Sequence, residues 1–186
     1  MILLVGLGNP TSGSQNNKHN IGFKIIDVIN QKFNLSKQKP KFKGLLTTGN
    51  ISNKKVYAIK PLTFMNNSGI CIRELMEYFK IDAGDVIVFH DDIDIDFGNI
   101  KAKFGGSSAG HNGITSIDKF IGKDYSRVRI GIGKPDSKIS ASEYVLNNFN
   151  EEEEKHLENI TKNIIDSLSI LIDKKLDLFS STVNNK

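Results

Sequence analysis

The chain has no tryptophan, one cysteine and only four prolines among its 186 residues. The single Cys71 excludes an internal disulfide framework and a cysteine-based metal centre, and suits a reducing compartment. No apolar run approaches the roughly 20 residues that a membrane helix needs. The opening Met1-Ile-Leu-Leu-Val-Gly-Leu7 is apolar but short and lacks a basic leader. It reads as a strand rather than a signal peptide. A cytoplasmic protein with no membrane contact is expected. With 38% hydrophobic and 25% charged residues, the chain is long enough for one domain with its own core.

What is present is uneven. The formal net charge is +4, but residues 100–138 hold eight Lys or Arg against three Asp, and residues 139–186 hold nine acidic residues against five basic. The basic excess is compatible with a polyanionic partner and equally with ordinary solvated lysine.

Ile2 to Leu7 reads as a continuous buried strand stopped by Gly8-Asn9-Pro10. After a polar loop, Asn20 is placed to cap a helix with Ile21, Ile25, Ile26, Ile29 and Phe33 on one face. Lys37 to Lys43 reads as a basic connector around Pro40. Phe42 to Ile51 and Val56 to Lys60 read as a strand pair. A loop, Pro61 to Gly69, feeds a helix over about 68–79. Val86 to His90 and Ile100 to Phe104 are further strands, then a helix over 112–121 and a strand over 127–132. Ala141 to Phe149 is a short amphipathic segment. One last helix over about 151–178 opens on four glutamates, as the helix dipole prefers, and Ser180 to Lys186 should fray. The alternation predicts a single α/β domain over 1–186: a three-layer sandwich whose mixed, mostly parallel twisted sheet carries helices on both faces.

Familiar motifs fail. Gly6-x-Gly8 has Thr11 where a dinucleotide fingerprint needs its third glycine. Gly105-Gly-Ser-Ser-Ala-Gly110 lacks the Gly-Lys-Ser/Thr ending of a phosphate loop. Asp92-x-Asp94-x-Asp96 has Phe97 where a calcium loop needs glycine.

What survives is a set of polar residues at strand ends: Asn9, His19, Asn66, Asp91 and Asn112. In an open α/β sheet these would converge outside the carboxyl ends of the strands. One His, one Asp and three Asn suit hydrolysis of an ester by water. The carboxylate would fix the imidazole tautomer, the imidazole would take a proton, and the amides would support an oxyanion. Helix caps and a structural histidine are the plainer alternatives on residue types alone. Neither Ser68 nor Cys71 has the setting of a nucleophile.

Several segments, in order, resemble the bacterial-type peptidyl-tRNA hydrolases. They are Val5-Gly-Leu-Gly-Asn-Pro10, Lys18-His-Asn-Ile-Gly22, Lys60-Pro-Leu-Thr-Phe-Met-Asn-Asn-Ser-Gly69, His90-Asp-Asp-Ile-Asp94, Gly105 to Gly113, and Arg127-Val-Arg-Ile-Gly-Ile-Gly133-Lys-Pro135. Tyr144-Val-Leu146 with Phe149 matches the segment flanking that family's cleft. The resemblance implies cleavage of the ester between a peptide and the terminal ribose of tRNA, recycling tRNA from abandoned translation. It implies His19 as base with Asp91 as partner and Asn9 beside them. Asn66, Asn112, Phe64, Met65, Ser14 and Gly110 would meet substrate, and Lys101, Lys103, Arg127 and Arg129 would meet tRNA phosphate. Strand alternation puts Lys101 with Lys103, and Arg127 with Arg129, on common faces. No metal and no cofactor is implied, and the family is mostly monomeric. Thr11, Ser14 and Asn17 replace the family's usual glycine, tyrosine and threonine.

Overall fold

In a computed structural model of the chain, which describes residues 1–186, the first apolar run forms β1 (Ile2–Gly6). The polar loop ends in a tight turn at Lys18–Asn20 and runs into α1 (Ile21–Lys32). Then come β2 (Lys39–Lys41), β3 (Gly44–Ile51), β4 (Lys54–Pro61), α2 (Ser68–Phe79), β5 (Val86–Asp92) and β6 (Ile100–Phe104). α3 (Asn112–Ile121), β7 (Ser126–Gly131) and four helices complete the chain. These are α4 (Ala141–Val145), α5 (Glu151–Asp166), α6 (Leu168–Ile172) and α7 (Leu176–Asn184).

The seven strands form one sheet in the order β2-β3-β4-β1-β5-β7-β6. β4, β1, β5 and β7 run parallel at its centre. The expected mixed, mostly parallel α/β sheet is present. The outer pairs β2–β3, β3–β4 and β6–β7 are antiparallel. β2 is itself a correction, because Lys39–Lys41 is a short edge strand and not a connector. Its proline and lysines suit an edge, where a missing N–H and exposed charge discourage further pairing.

Period-two alternation divides the core. Ile2, Leu4, Ile87 and Phe89 pack with α1 and the C-terminal helices, while Leu3, Val5, Val86 and Val88 pack with α2 and α3. Both faces are covered, so these strands read as unbroken apolar runs. Asp91 continues the row of Ile87 and Phe89 and so emerges on the side of α1, two residues along the strand.

The C-terminal segment departs from one long helix. Ser167 interrupts it, and Lys174, with φ of +61°, turns the chain back. A straight helix would carry its apolar residues off the sheet. The breaks instead let Leu168, Leu171 and Ile172 be buried and send α7 across β6. The tail expected to fray from Ser180 is docked. Ser180 Oγ accepts from the amide of Ala102, and the Asn184 side chain pairs with both N and O of Ile100 at 2.9 and 2.7 Å. These bonds occupy the outer edge of β6, which no strand covers. No helix is long and apolar enough to cross a membrane.

Candidate active site

Two glycines explain how α1 meets the sheet. A Cβ at Gly22 would lie 2.4 Å from both Leu7 N and Phe89 O, and one at Gly6 would lie 2.2 Å from Gly22 O. The start of α1 therefore presses onto the ends of β1 and β5. The turn just before it carries His19 to the end of β5, where Asp91 emerges.

There His19 Nδ1 stands 2.9 Å from both carboxylate oxygens of Asp91. Oδ1 also accepts from Nε2 of His111 at 2.9 Å. Asp91 is 2% exposed and His19 7%. His111 caps α3: its Nδ1 accepts from the amides of Gly113 and Ile114 at 3.1 and 3.3 Å. An imidazole that accepts at Nδ1 carries its proton on Nε2, which fixes the tautomer of His111 as a donor to Asp91. His19 likewise donates from Nδ1, and its Nε2 has no protein partner. Burial alone would raise the Asp91 carboxyl, but the His111 and His19 imidazoles and their hydrogen bonds hold it well below the ordinary 3.8.

His90, on the opposite face of β5, is also buried. Its Nδ1 donates to the carbonyl of Asp91 at 2.8 Å, and its ring packs edge-on against His111 with centroids 5.0 Å apart. Burial, with the nearby His111, pushes its pKa down to about 3, so it is neutral at physiological pH.

His19, Asp91 and His111 open onto a cavity of about 180 Å³. Asp92 and Asp94 form one wall, Ser108 to Asn112 another, and Ala141, Ser142 and Val145 of α4 a third. Asn9 does not line this cavity and is tied to Asn20, the residue after His19. The Asn9 side-chain Oδ1 accepts from the amide of Met65 at 2.8 Å. Its own N and O are both bound, at 2.9 Å each, by the side chain of Asn20. Asn20, expected to cap α1, makes no cap bond. Its amide holds Asn9 instead.

Of the residues expected to meet substrate, Asn112 and Gly110 line the cavity. Asn66 and Phe64 are exposed on the loop that the Asn9–Met65 bond fixes, and Phe64 takes φ of +52°. Ser14 is buried, closes two turns with its main chain, and does not line the cavity. Lys101 and Lys103 are exposed on β6. The two arginines differ from that expectation. Arg129 Nε is paired with Asp92 at 2.8 Å, and Arg127 is 4% exposed with its guanidinium turned onto main-chain carbonyls. Two residues went unassigned in the sequence reading. His111 was legible only as a polar residue immediately before a helix start. Lys18 is buried against the rings of Tyr144 and Phe149, and its Nζ donates to Asn148 O at 3.1 Å, tying the His19 turn to the α4–α5 segment.

The three groups at the centre could be taken for metal ligands, since their ligand atoms lie within 4.8 Å of one another. The tautomers count against it. His111 Nε2 carries the proton because Nδ1 is occupied by the helix amides, so it has no lone pair to offer.

A buried carboxylate holding two imidazoles at the carboxyl ends of parallel strands, where open α/β sheets place their ligand sites, is the arrangement of an α/β enzyme. The comparisons with known proteins are more specific. The peptidyl-tRNA hydrolase family pattern matches residues 3–186. A peptidyl-tRNA hydrolase of Pelagibacter ubique is 78% identical over 186 residues, covering 100% of both chains. One from Ehrlichia canis is 43% identical, covering 98% of this chain and 94% of its own. The crystal structure of peptidyl-tRNA hydrolase from Acinetobacter baumannii superposes with a TM-score of 0.92 at 32% identity, over 99% of this chain and 94% of that one. The chain belongs to the peptidyl-tRNA hydrolase family.

Proposed function

We propose that this chain cleaves the ester of peptidyl-tRNA with water activated by His19, without a metal. The observation that carries this reading is the Asp91 carboxylate accepting hydrogen bonds from His19 Nδ1 and His111 Nε2 together. It keeps Nε2 of His19 a free base facing the cavity. Water held at that nitrogen loses its proton to His19 as its oxygen attacks the ester carbonyl. Asp91 balances the imidazolium that forms. The proton then passes to the departing ribose oxygen, releasing peptide acid and free tRNA.

The amides complete the chemistry. Asn112, which lines the cavity with His19, and Asn9, held by the residue after His19, are the donors for the developing oxyanion and the peptide carbonyls. Gly110, with Asn66 and Phe64 on the loop fixed through the Met65 amide, takes the peptide and the tRNA end, and the buried Ser14 holds the turns before His19. Lys101 and Lys103 supply exposed positive charge for phosphate. A monomeric cytoplasmic enzyme that returns tRNA from abandoned translation fits this assignment.

The direct experiment compares hydrolysis of an N-acetylated aminoacyl-tRNA with the same tRNA bearing a free amino group, in EDTA. The expected result is rapid cleavage of the blocked substrate alone, falling by about 10²–10⁴ in His19→Ala. Near-full turnover in His19→Ala would remove it as the base. Tight tRNA binding with no cleavage of either substrate would make the chain an RNA-binding module.

A further inference from the structure

Arg127 stands near the start of β7, opposite Val88 of β5 and Lys103 of β6. Its Nε donates to Gly105 O at 3.0 Å and its Nη1 to Ser107 O at 2.8 Å. No other side chain from outside the loop hydrogen-bonds residues 105–107. Between those two carbonyls lies Gly106, at φ of +101°, where a Cβ would come 2.5 Å from Arg127 Nη2. The loop then runs through Ser108, whose carbonyl accepts from the amide of His111 at 2.9 Å. It ends on His111 itself, bonded to Asp91.

The guanidinium is therefore a two-pronged brace between the sheet and the loop that forms one wall of the cavity. A planar fork fits two carbonyls at fixed spacing, whereas a lysine ammonium offers only a point charge. A buried group that points Nε and Nη1 at main-chain carbonyls is also poorly placed to meet a phosphate.

We propose that Arg127 is a positioning residue for hydrolysis. It fixes the start of the glycine loop so that Gly110 and His111 are held against the cavity and Asp91, and it takes no part in phosphate binding. This rests on the hydrolase reading above.

The test measures three things on Arg127→Lys in the full chain. They are kcat on N-acetylated aminoacyl-tRNA, the salt dependence of uncharged tRNA binding, and amide hydrogen exchange at residues 106–111. Loss of the fork should lower kcat by about 10–100-fold, the scale on which slight misplacement of reacting groups acts. tRNA affinity and its salt slope should stay as in the parent, and exchange at 106–111 should speed up. Unchanged kcat in Arg127→Lys, with weaker binding and a salt slope flatter by about one in the charge-removing Arg127→Gln, would make Arg127 a phosphate ligand and overturn the proposal. If Arg127→Lys does not fold, Gly106→Ala pushes on the same guanidinium from the loop side, and the same three results are expected. An inactive parent protein would defeat the hydrolase reading, and the exchange data would still decide the brace.

Discussion

The side chain of Asn20 grips the main chain of Asn9 from both sides, accepting from its N–H and donating to its C=O at 2.9 Å each. Because Asn20 directly follows His19, the base and the Asn9 amide are set by one short turn. The Asn9 side chain passes the constraint to Met65, whose amide it binds. Asn20→Ala should therefore lower kcat by about tenfold or more, with little loss of tRNA affinity. Asn20→Asp, which keeps the acceptor but loses the donor, should fall between. Steady-state kinetics on a blocked aminoacyl-tRNA would show it, and equal kcat in all three proteins would separate Asn9 from its clamp.

Asp91→Asn tests the shared carboxylate. An amide has one oxygen and one NH₂, so in either orientation it turns a donor toward an imidazole N–H that a carboxylate oxygen now accepts from. One imidazole must turn or change tautomer. A rate loss of about 10²–10⁴ is expected, and adding His19→Ala on top should cost little more, because the pair acts as a unit. A double variant whose losses multiplied in full would show that the two act independently.

Stability should fall on mild acidification. Below pH 6.5 the unfolded chain protonates His90, whereas the folded chain, where its pKa is pushed to about 3, does not. Between those limits the unfolded state binds more protons, so lowering pH favours unfolding by at most about 1.4 kcal/mol per pH unit. Asp91 adds to the same direction nearer pH 3.8, since its lowered carboxyl stays charged in the fold. Urea unfolding at pH 7.5 and pH 5 should show a smaller difference for His90→Gln than for the parent. Equal differences would mean that His90 is not the titrating group.

Gly22→Ala should destabilise the fold by about 1–3 kcal/mol, the usual cost of overpacking. The added methyl meets main-chain atoms of Leu7 and Phe89, neither of which can move cheaply. Since α1 carries the turn with His19, kcat should fall as well. Thermal unfolding and kinetics on the same sample would test both, and a variant as stable as the parent would mean the helix shifts freely.

Much of the fold was legible because it is local. The apolar runs of β1 and β5, the helical spacing from Ile21 to Phe33, and the acidic opening of α5 each express a period or a terminus preference that needs no partner. His19, Asp91 and Asn9 were legible as polar residues at strand ends. The break at Ser167, the reversal at Lys174 and the docking of Asn184 on Ile100 were not. They depend on where the sheet edge lies.

By itself the sequence determined the order and kind of the elements, and the residue types available for proton transfer, because backbone periodicity and side-chain chemistry act over a few positions. Only the tertiary structure decided what each polar group faces. His111 meets Asp91 across 20 residues of chain, Asn20 holds Asn9 across 11, and Arg127 turns inward to Gly105 across 22. Strand alternation placed Arg127 and Arg129 on one face, yet the first is buried under the glycine loop and the second paired with Asp92. Alternation fixes only the side of the sheet on which a residue emerges. Sheet order and loop path set its neighbours, and burial then decides whether a charge is spent on a carbonyl, a carboxylate or solvent.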